Sequence, residues 1–222
     1  MVRPHGGQKP RSLVVLFHGY GAGAKDLVPL AEAWRQVFPE TAFVSLQAPY
    51  HMGHEGQRMW FSLEDWDPVR IFPLLKPLAD WVAETLGPLM KEIEVYWSNT
   101  AFVGFSQGGM LALAQGLLFF NVSGVLCYSG LFLPSPHGTP VKGAAKVCLV
   151  HGAQDDVVPV QYFYDSQTLL KRLNVPFESY LFQGLGHTID RRCLEKGAMF
   201  LKNALIGASA PNVAKKEKHH GS

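Results

Sequence analysis

The sequence predicts a single α/β domain in which helices cover both faces of a mostly parallel central sheet. Short apolar runs alternate with longer amphipathic segments along the whole chain, with no internal repeat and no linker. Most of the short runs are apolar throughout rather than alternating, as strands buried on both faces require. The domain is expected over residues 12–206, after an N-terminal extension (1–11). Residues 207–222 are small, polar and Lys-rich, and are expected to be a disordered tail.

Strands are predicted at 13–17, 42–46, 101–105, 124–128, 146–150 and 177–182, where the apolar runs fall. Helices are predicted at 27–38, 73–86, 107–119, 162–173 and 190–205. Asp26 is placed to cap the first, and Gly87-Pro88 to stop the second. Two connections, 47–72 and 129–144, are too long for turns. The first is rich in His, Gly and aromatics, and the second carries Pro134, Pro136 and Pro140. Both leave the carboxyl ends of strands, where open parallel sheets bind ligands.

Composition excludes several classes. At 47% hydrophobic and 17% charged residues the chain is neither disordered nor fibrous. A net charge of +2 is too small for a dedicated nucleic-acid binder, which must neutralise phosphates. The longest apolar stretch, around residues 110–120, is interrupted by Gln115 and Gly116, so no bilayer span is expected. The apolar run at 13–17 is shorter than the core of a secretory leader, and Cys127, Cys148 and Cys193 are odd in number and far apart. A cytoplasmic location is the expectation.

The strongest chemical signal is Gly104-Phe105-Ser106-Gln107-Gly108, a G-x-S-x-G set between a predicted strand and a predicted helix. A tight turn there lifts a serine hydroxyl clear of the sheet, and the helix start behind it favours developing negative charge. A strand–turn–helix setting of this kind is the one expected of a nucleophile turn, and it makes Ser106 the candidate nucleophile. A serine needs a base oriented by an acid, and around such a turn the chain order is Ser, acid, His. His219 and His220 lie in the tail, while His137 and His151 precede every eligible acid. His187, in a Gly-rich loop after the last strand, remains as the base. The acid follows the preceding strand, where Asp155 and Asp156 both stand, and spacing does not choose between them. Backbone N–H donors for the oxyanion are expected from Gln107, next to the serine, and from Tyr20, in the loop after the first strand.

Together these segments resemble the carboxylesterase/phospholipase family of serine hydrolases that includes the acyl-protein thioesterases. The resemblance rests on HG-x-G (18–21), R-x-W-[FY] (58–61), GFSQGG (104–109), HG-x-x-D-x-x-V-P (151–159) and a late G-x-x-H (184–187). It spans residues 13 to about 190. It implies an α/β-hydrolase fold, with Asp155 rather than Asp156 as the acid. It implies the same roles for Ser106, His187, Tyr20 and Gln107, with no cofactor and no metal. It also implies a small ester or acylated substrate, and a homodimer is common in the family. Ser62 stands where the family commonly has Asp, the loop before Arg58 is short, and Gly186 precedes the histidine. These departures bear on substrate choice. Trp60, Phe61, Leu131 and Phe132 are the expected acyl-pocket residues.

The expected function is therefore carboxylic ester hydrolysis through an acyl-enzyme, with acyl-protein thioesterase or lysophospholipase as alternatives. Two readings from other classes are weaker. Residues 19–24 match a G-x-G-x-x-A dinucleotide fingerprint, but the next strand ends Ser45-Leu46-Gln47 without the acid that would bind ribose. A hydrolase-like binding protein without catalysis usually lacks a triad member, and here all are present. His51, His54 and Glu55 sit on a glycine loop without helical metal-ligand spacing.

Overall fold

The computed structural model describes residues 1–4, 7–53, 56–64, 68–133, 141 and 145–206. All six predicted strands form. In chain order the strands are β1 (Ser12–Phe17), β2 (Thr41–Leu46), β3 (Tyr50–His51), β4 (Arg58–Met59), β5 (Thr100–Phe105), β6 (Gly124–Tyr128), β7 (Lys146–Gly152) and β8 (Phe177–Phe182). Six of them make one sheet in the order β2-β1-β5-β6-β7-β8, parallel throughout. The helices are α1 (Val28–Arg35), α2 (Pro68–Ile93), α3 (Gln107–Ala114), α4 (Gln161–Arg172) and α5 (Arg191–Ile206).

β1 shows why its sequence reads as a continuous apolar run. Leu13, Val15 and Phe17 enter one core with residues of α2, α3 and α4, while Val14 and Leu16 enter the other with residues of α1 and α5. Successive strand side chains alternate faces, so two buried faces demand an apolar residue at every position. The first strand, β1, lies inside the sheet; the chain steps outward to β2, then returns past β1 to β5. α1 and α3 consequently lie on opposite faces, and the loops after β1 and β5 diverge above the sheet at the topological switch point. At the outer edge, Val2 exchanges two hydrogen bonds with Phe43, covering part of β2 that would otherwise be unpaired.

Helix boundaries depart from the sequence expectation in three places. Gly87-Pro88 does not stop α2. Its buried stripe of Leu75, Leu78, Val82, Leu86, Met90 and Ile93 runs on past that point, and this burial outweighs the hydrogen bond lost at Pro88. The helix ends at Glu94, whose φ of 56° turns the chain so that the Val95 N–H reaches the Met90 carbonyl. Asn174 ends α4 in the same way. The predicted first helix splits into a 3₁₀ turn (Ala24–Leu27) followed by α1, and Asp26 accepts the Gly23 N–H within that turn instead of capping α1. The third gives way after Ala114 to a π segment (Gln115–Phe119). There the Gln115 amide donates to the Leu75 carbonyl.

The long connection after β2 holds a short antiparallel hairpin, β3–β4, which the sequence did not signal. Most of the second long connection (134–140, 142–144), residues 54 and 55 and the tail (207–222) lie outside the described residues. Among the described residues no helix is long and apolar enough to cross a membrane.

α5 docks on β6 through Gly197, where an added Cβ would fall 2.0 Å from the Tyr128 hydroxyl oxygen. That buried hydroxyl donates to the Cys193 carbonyl. Gly197→Ala gains about 1 kcal/mol of helix propensity but forces the Tyr128 ring to move, which costs about 3 kcal/mol. A net loss of stability is expected in chemical denaturation; an unchanged or higher midpoint would contradict this packing.

Candidate active site

Ser106 occupies the junction of β5 and α3 with φ 55° and ψ −122°, a conformation that strains any residue with a side chain. The strain follows from how closely α3 lies on the sheet. A Cβ on Gly104 would meet the Gly108 carbonyl oxygen at 2.0 Å, and one on Gly108 would meet the Phe17 carbonyl oxygen at 2.0 Å. Only glycine fits at either position, so the chain must turn from strand to helix within one residue. The Ser106 N–H donates to the Tyr128 carbonyl (2.9 Å), and its own carbonyl accepts from Met110 (3.1 Å). The serine stands at the start of α3, where the helix dipole favours negative charge.

Asp155 lies in the turn after β7 and His187 in the loop after β8. The His187 Nδ1 is 2.8 Å from Asp155 Oδ2. A carboxylate only accepts, so Nδ1 carries the proton and Nε2 is left free as an acceptor. Asp155 Oδ1 accepts the N–H groups of Val157 (3.0 Å) and Val158 (2.8 Å). Burial alone would raise this carboxyl, but the bonds from His187, Val158 and Val157 outweigh it and hold it below the ordinary aspartate value. Asp156 is exposed.

The two loops are also tied through their backbones. Ala153 N–H donates to Phe182 O, Gln154 N–H donates to Leu185 O, and the Gln154 side chain accepts from the Gly184 N–H. Gly152 is needed because a Cβ there would sit 2.3 Å from the Leu185 carbonyl oxygen. The Phe105 ring packs 4.8 Å from the His187 ring, adjoining this unit to the Ser106 turn.

His151 and His18 are almost completely buried and play a different part. Desolvation pushes both below the ordinary histidine value, leaving them neutral. His151 Nε2–H donates to Val158 O at 2.9 Å, bracing the turn that holds Asp155. His18 Nδ1–H donates to Gly19 O (2.8 Å), and its Nε2 accepts the Ala48 N–H (3.1 Å). His18 thereby ties the loop after β1 to the end of β2. Gly19 is so near the serine that a Cβ on it would lie 3.4 Å from Ser106 Cβ. Among the described residues, the N–H groups of Tyr20 and Gln107 have no hydrogen-bond partner.

Ser106, His187, Gly19 and Tyr20 line one cavity of about 500 Å³. The rest of its described wall is Ala22, Leu63, Phe105, Met110, Leu131, Val157, Val158, Pro159 and Tyr162, none of them charged. Of the four expected acyl-pocket residues, only Leu131 lines it. Trp60, Phe61 and Phe132 are core residues. Trp60 packs edge-on against Phe17 and Trp81, and its indole N–H donates to the His18 carbonyl (2.8 Å). Met110 and residues 157–159 also line the cavity and were not among the four expected residues. The 157–159 wall was visible in the V-P of the 151–159 motif, which brings the wall in beside the acid.

A strained serine at a strand–helix turn above a parallel sheet shares its cavity with the histidine of a histidine–aspartate pair, the arrangement that a hydrolase-type site requires. The phospholipase/carboxylesterase family model matches residues 4–205, and the chain belongs to that family. Esterase PE8, a solved structure, superposes with a TM-score of 0.82 at 32% identity, covering 92% of this chain and 97% of that one. Esterase YpfH of Escherichia coli K12 is 26% identical over 194 residues, covering 83% of this chain and 79% of that protein. Acyl-protein thioesterase 1 of Kluyveromyces lactis is 26% identical over 222 residues, covering 89% and 94%.

The buried neutral histidines give stability a pH dependence. Because folding lowers the proton affinity of His18 and His151, the unfolded chain binds more protons below about pH 6.5. Their contribution is complete above that pH and is lost as pH falls. Asp155 acts in the same direction in a lower window, below about pH 4. The urea midpoint is expected to be lower at pH 5.5 than at pH 7.5; equal midpoints would mean these histidines are not held neutral.

Proposed function

We propose that this chain is a serine carboxylesterase that cleaves carboxylic esters through an acyl-enzyme intermediate. The observation that carries the reading is the strained Ser106 opening onto the same apolar cavity as His187, whose Nδ1 is held by Asp155 at 2.8 Å. Ser106 Oγ attacks the ester carbonyl as His187 Nε2 takes its proton. Asp155 keeps the imidazole in the Nδ1–H tautomer and stabilises the imidazolium. The N–H groups of Tyr20 and Gln107 receive the developing oxyanion. His187 then protonates the leaving alcohol, which departs. Water, deprotonated by the same imidazole, attacks the acyl carbonyl and releases the acid and Ser106.

The apolar, uncharged wall suits an aliphatic acyl group. A thioester presents the same carbonyl to the same residues, and the likeness to acyl-protein thioesterase 1 over 89% of the chain favours thioesterase action as a second reading.

Ser106→Ala is expected to abolish hydrolysis of p-nitrophenyl esters. Asp155→Asn should lower kcat by about three to four orders of magnitude, while Asp156→Asn should stay within about twofold. Full activity in Ser106→Ala would refute the mechanism, and a reversed aspartate result would reassign the acid.

Acyl-chain dependence tests the cavity. Each buried methylene is worth about 0.8 kcal/mol, so kcat/KM should rise by up to about fifteenfold from acetyl to butyryl esters. An optimum at acetyl would show that the acyl group does not enter this cavity.

A further inference from the structure

The mechanism above uses only the backbone N–H of Gln107, yet its side chain is completely buried, with both its oxygen and its nitrogen hydrogen-bonded. Its Oε1 accepts the Trp60 N–H at 2.9 Å, and its Nε2 donates to the Phe61 carbonyl at 2.7 Å. Two residues upstream, the Arg58 carbonyl accepts the Gly21 N–H (2.9 Å), and the Arg58 N–H donates to the Ala22 carbonyl (3.0 Å). The Trp60 indole N–H reaches the His18 carbonyl (2.8 Å). Residues 58–61 therefore form a strap with two attachments. One is the loop that carries the Tyr20 N–H, bonded at His18, Gly21 and Ala22. The other is the first residue of α3, bonded through the Gln107 side chain.

We propose that the Gln107 side chain is a positioning residue that, through this strap, sets the separation and aim of the two oxyanion donors. The inference rests on the esterase reading above. The two donors belong to segments that leave different strands, β1 and β5, and turn to opposite faces of the sheet. No described hydrogen bond joins those segments directly at Tyr20 and Gln107. The strap is a rigid link between them, because Trp60 and Phe61 are locked in the core. A primary amide meets its requirement, since one terminal group both accepts from an N–H and donates to a carbonyl. Preorganised donors matter in the transition state more than in the bound ester, so the link acts on turnover rather than on substrate binding.

The test compares full-length wild type with Gln107→Met, which keeps side-chain bulk and removes both bonds. A second variant, Trp60→Phe, keeps an aromatic ring in the core and, of the strap's hydrogen bonds, removes only that to His18. Rates are taken per active site titrated with a fluorophosphonate. Gln107→Met is expected to lower kcat about 10- to 100-fold with KM within about threefold, and to weaken inhibition by an alkylboronic acid by a similar factor. Trp60→Phe should show a smaller fall in kcat, also with KM unchanged. A merely structural role would lower the melting temperature and the titrated fraction while leaving kcat per site and boronate affinity at wild-type values; that result overturns the proposal. Should Gln107→Met not fold, wild-type kcat in Trp60→Phe overturns it. If wild type itself cleaves no ester, the esterase reading fails, an outcome separable from wild-type behaviour in the variants.

Discussion

The close contact of α3 with the sheet is the constraint on which the site depends. Backbone meets backbone where Gly108 faces the Phe17 carbonyl and where Gly104 faces the Gly108 carbonyl. With no room for side chains, the chain leaves β5 and enters α3 within one residue, and Ser106 takes the strain. Strain of that kind costs about 1–3 kcal/mol, and it persists because neighbours over-determine the turn. Tyr128 holds the Ser106 N–H, Met110 holds its carbonyl, and Gly130 passes so near that a Cβ on it would lie 2.9 Å from that carbonyl oxygen. Ser129, at the end of β6, is itself turned to φ 46° beside this junction.

The same density shapes the chemistry around the serine. Cys127 lies against the turn, its sulfur 2.8 Å from where a Cβ on Gly109 or Gly130 would stand. Burial pushes its thiol up to about 12, so it remains a protonated, inert packing group next to the Ser106 turn. On the other side of the cavity, hydrogen bonds dominate over burial. Asp155 receives both N–H groups of its own turn as well as His187, and remains an ionised carboxylate. A shared sheet end thus carries both an apolar cavity wall and a polar, hydrogen-bonded anchor for His187.

Strand positions were legible almost to the residue, because burial on both faces leaves an unbroken apolar run in the sequence. Helix ends were less so. Local breakers such as Gly87 and Pro88 are overruled when the apolar stripe continues into a core, and Glu94 and Asn174 end their helices through backbone conformations with no glycine to announce them. Trp60 and Phe61 illustrate the corresponding difficulty at the site. An aromatic pair in a loop near a motif suggests a substrate pocket, but only the packed structure shows that these rings fill the core while their backbone bonds to Gln107.

By itself the sequence determined the α/β class, the order of the strands along the chain, and the residue types able to do chemistry. Those properties are written in local pattern: apolar runs, a glycine-flanked serine, and the chain order of acid and histidine. The tertiary structure decided which groups meet. It brought His187 to Asp155 and left Asp156 in solvent, assigned Leu131 to the cavity and Phe132 to the core, and tied the Gln107 side chain to residues 60 and 61. These outcomes depend on distances between segments far apart in the chain. Such distances are set by how closely helix, strand and loop pack, which no local pattern records.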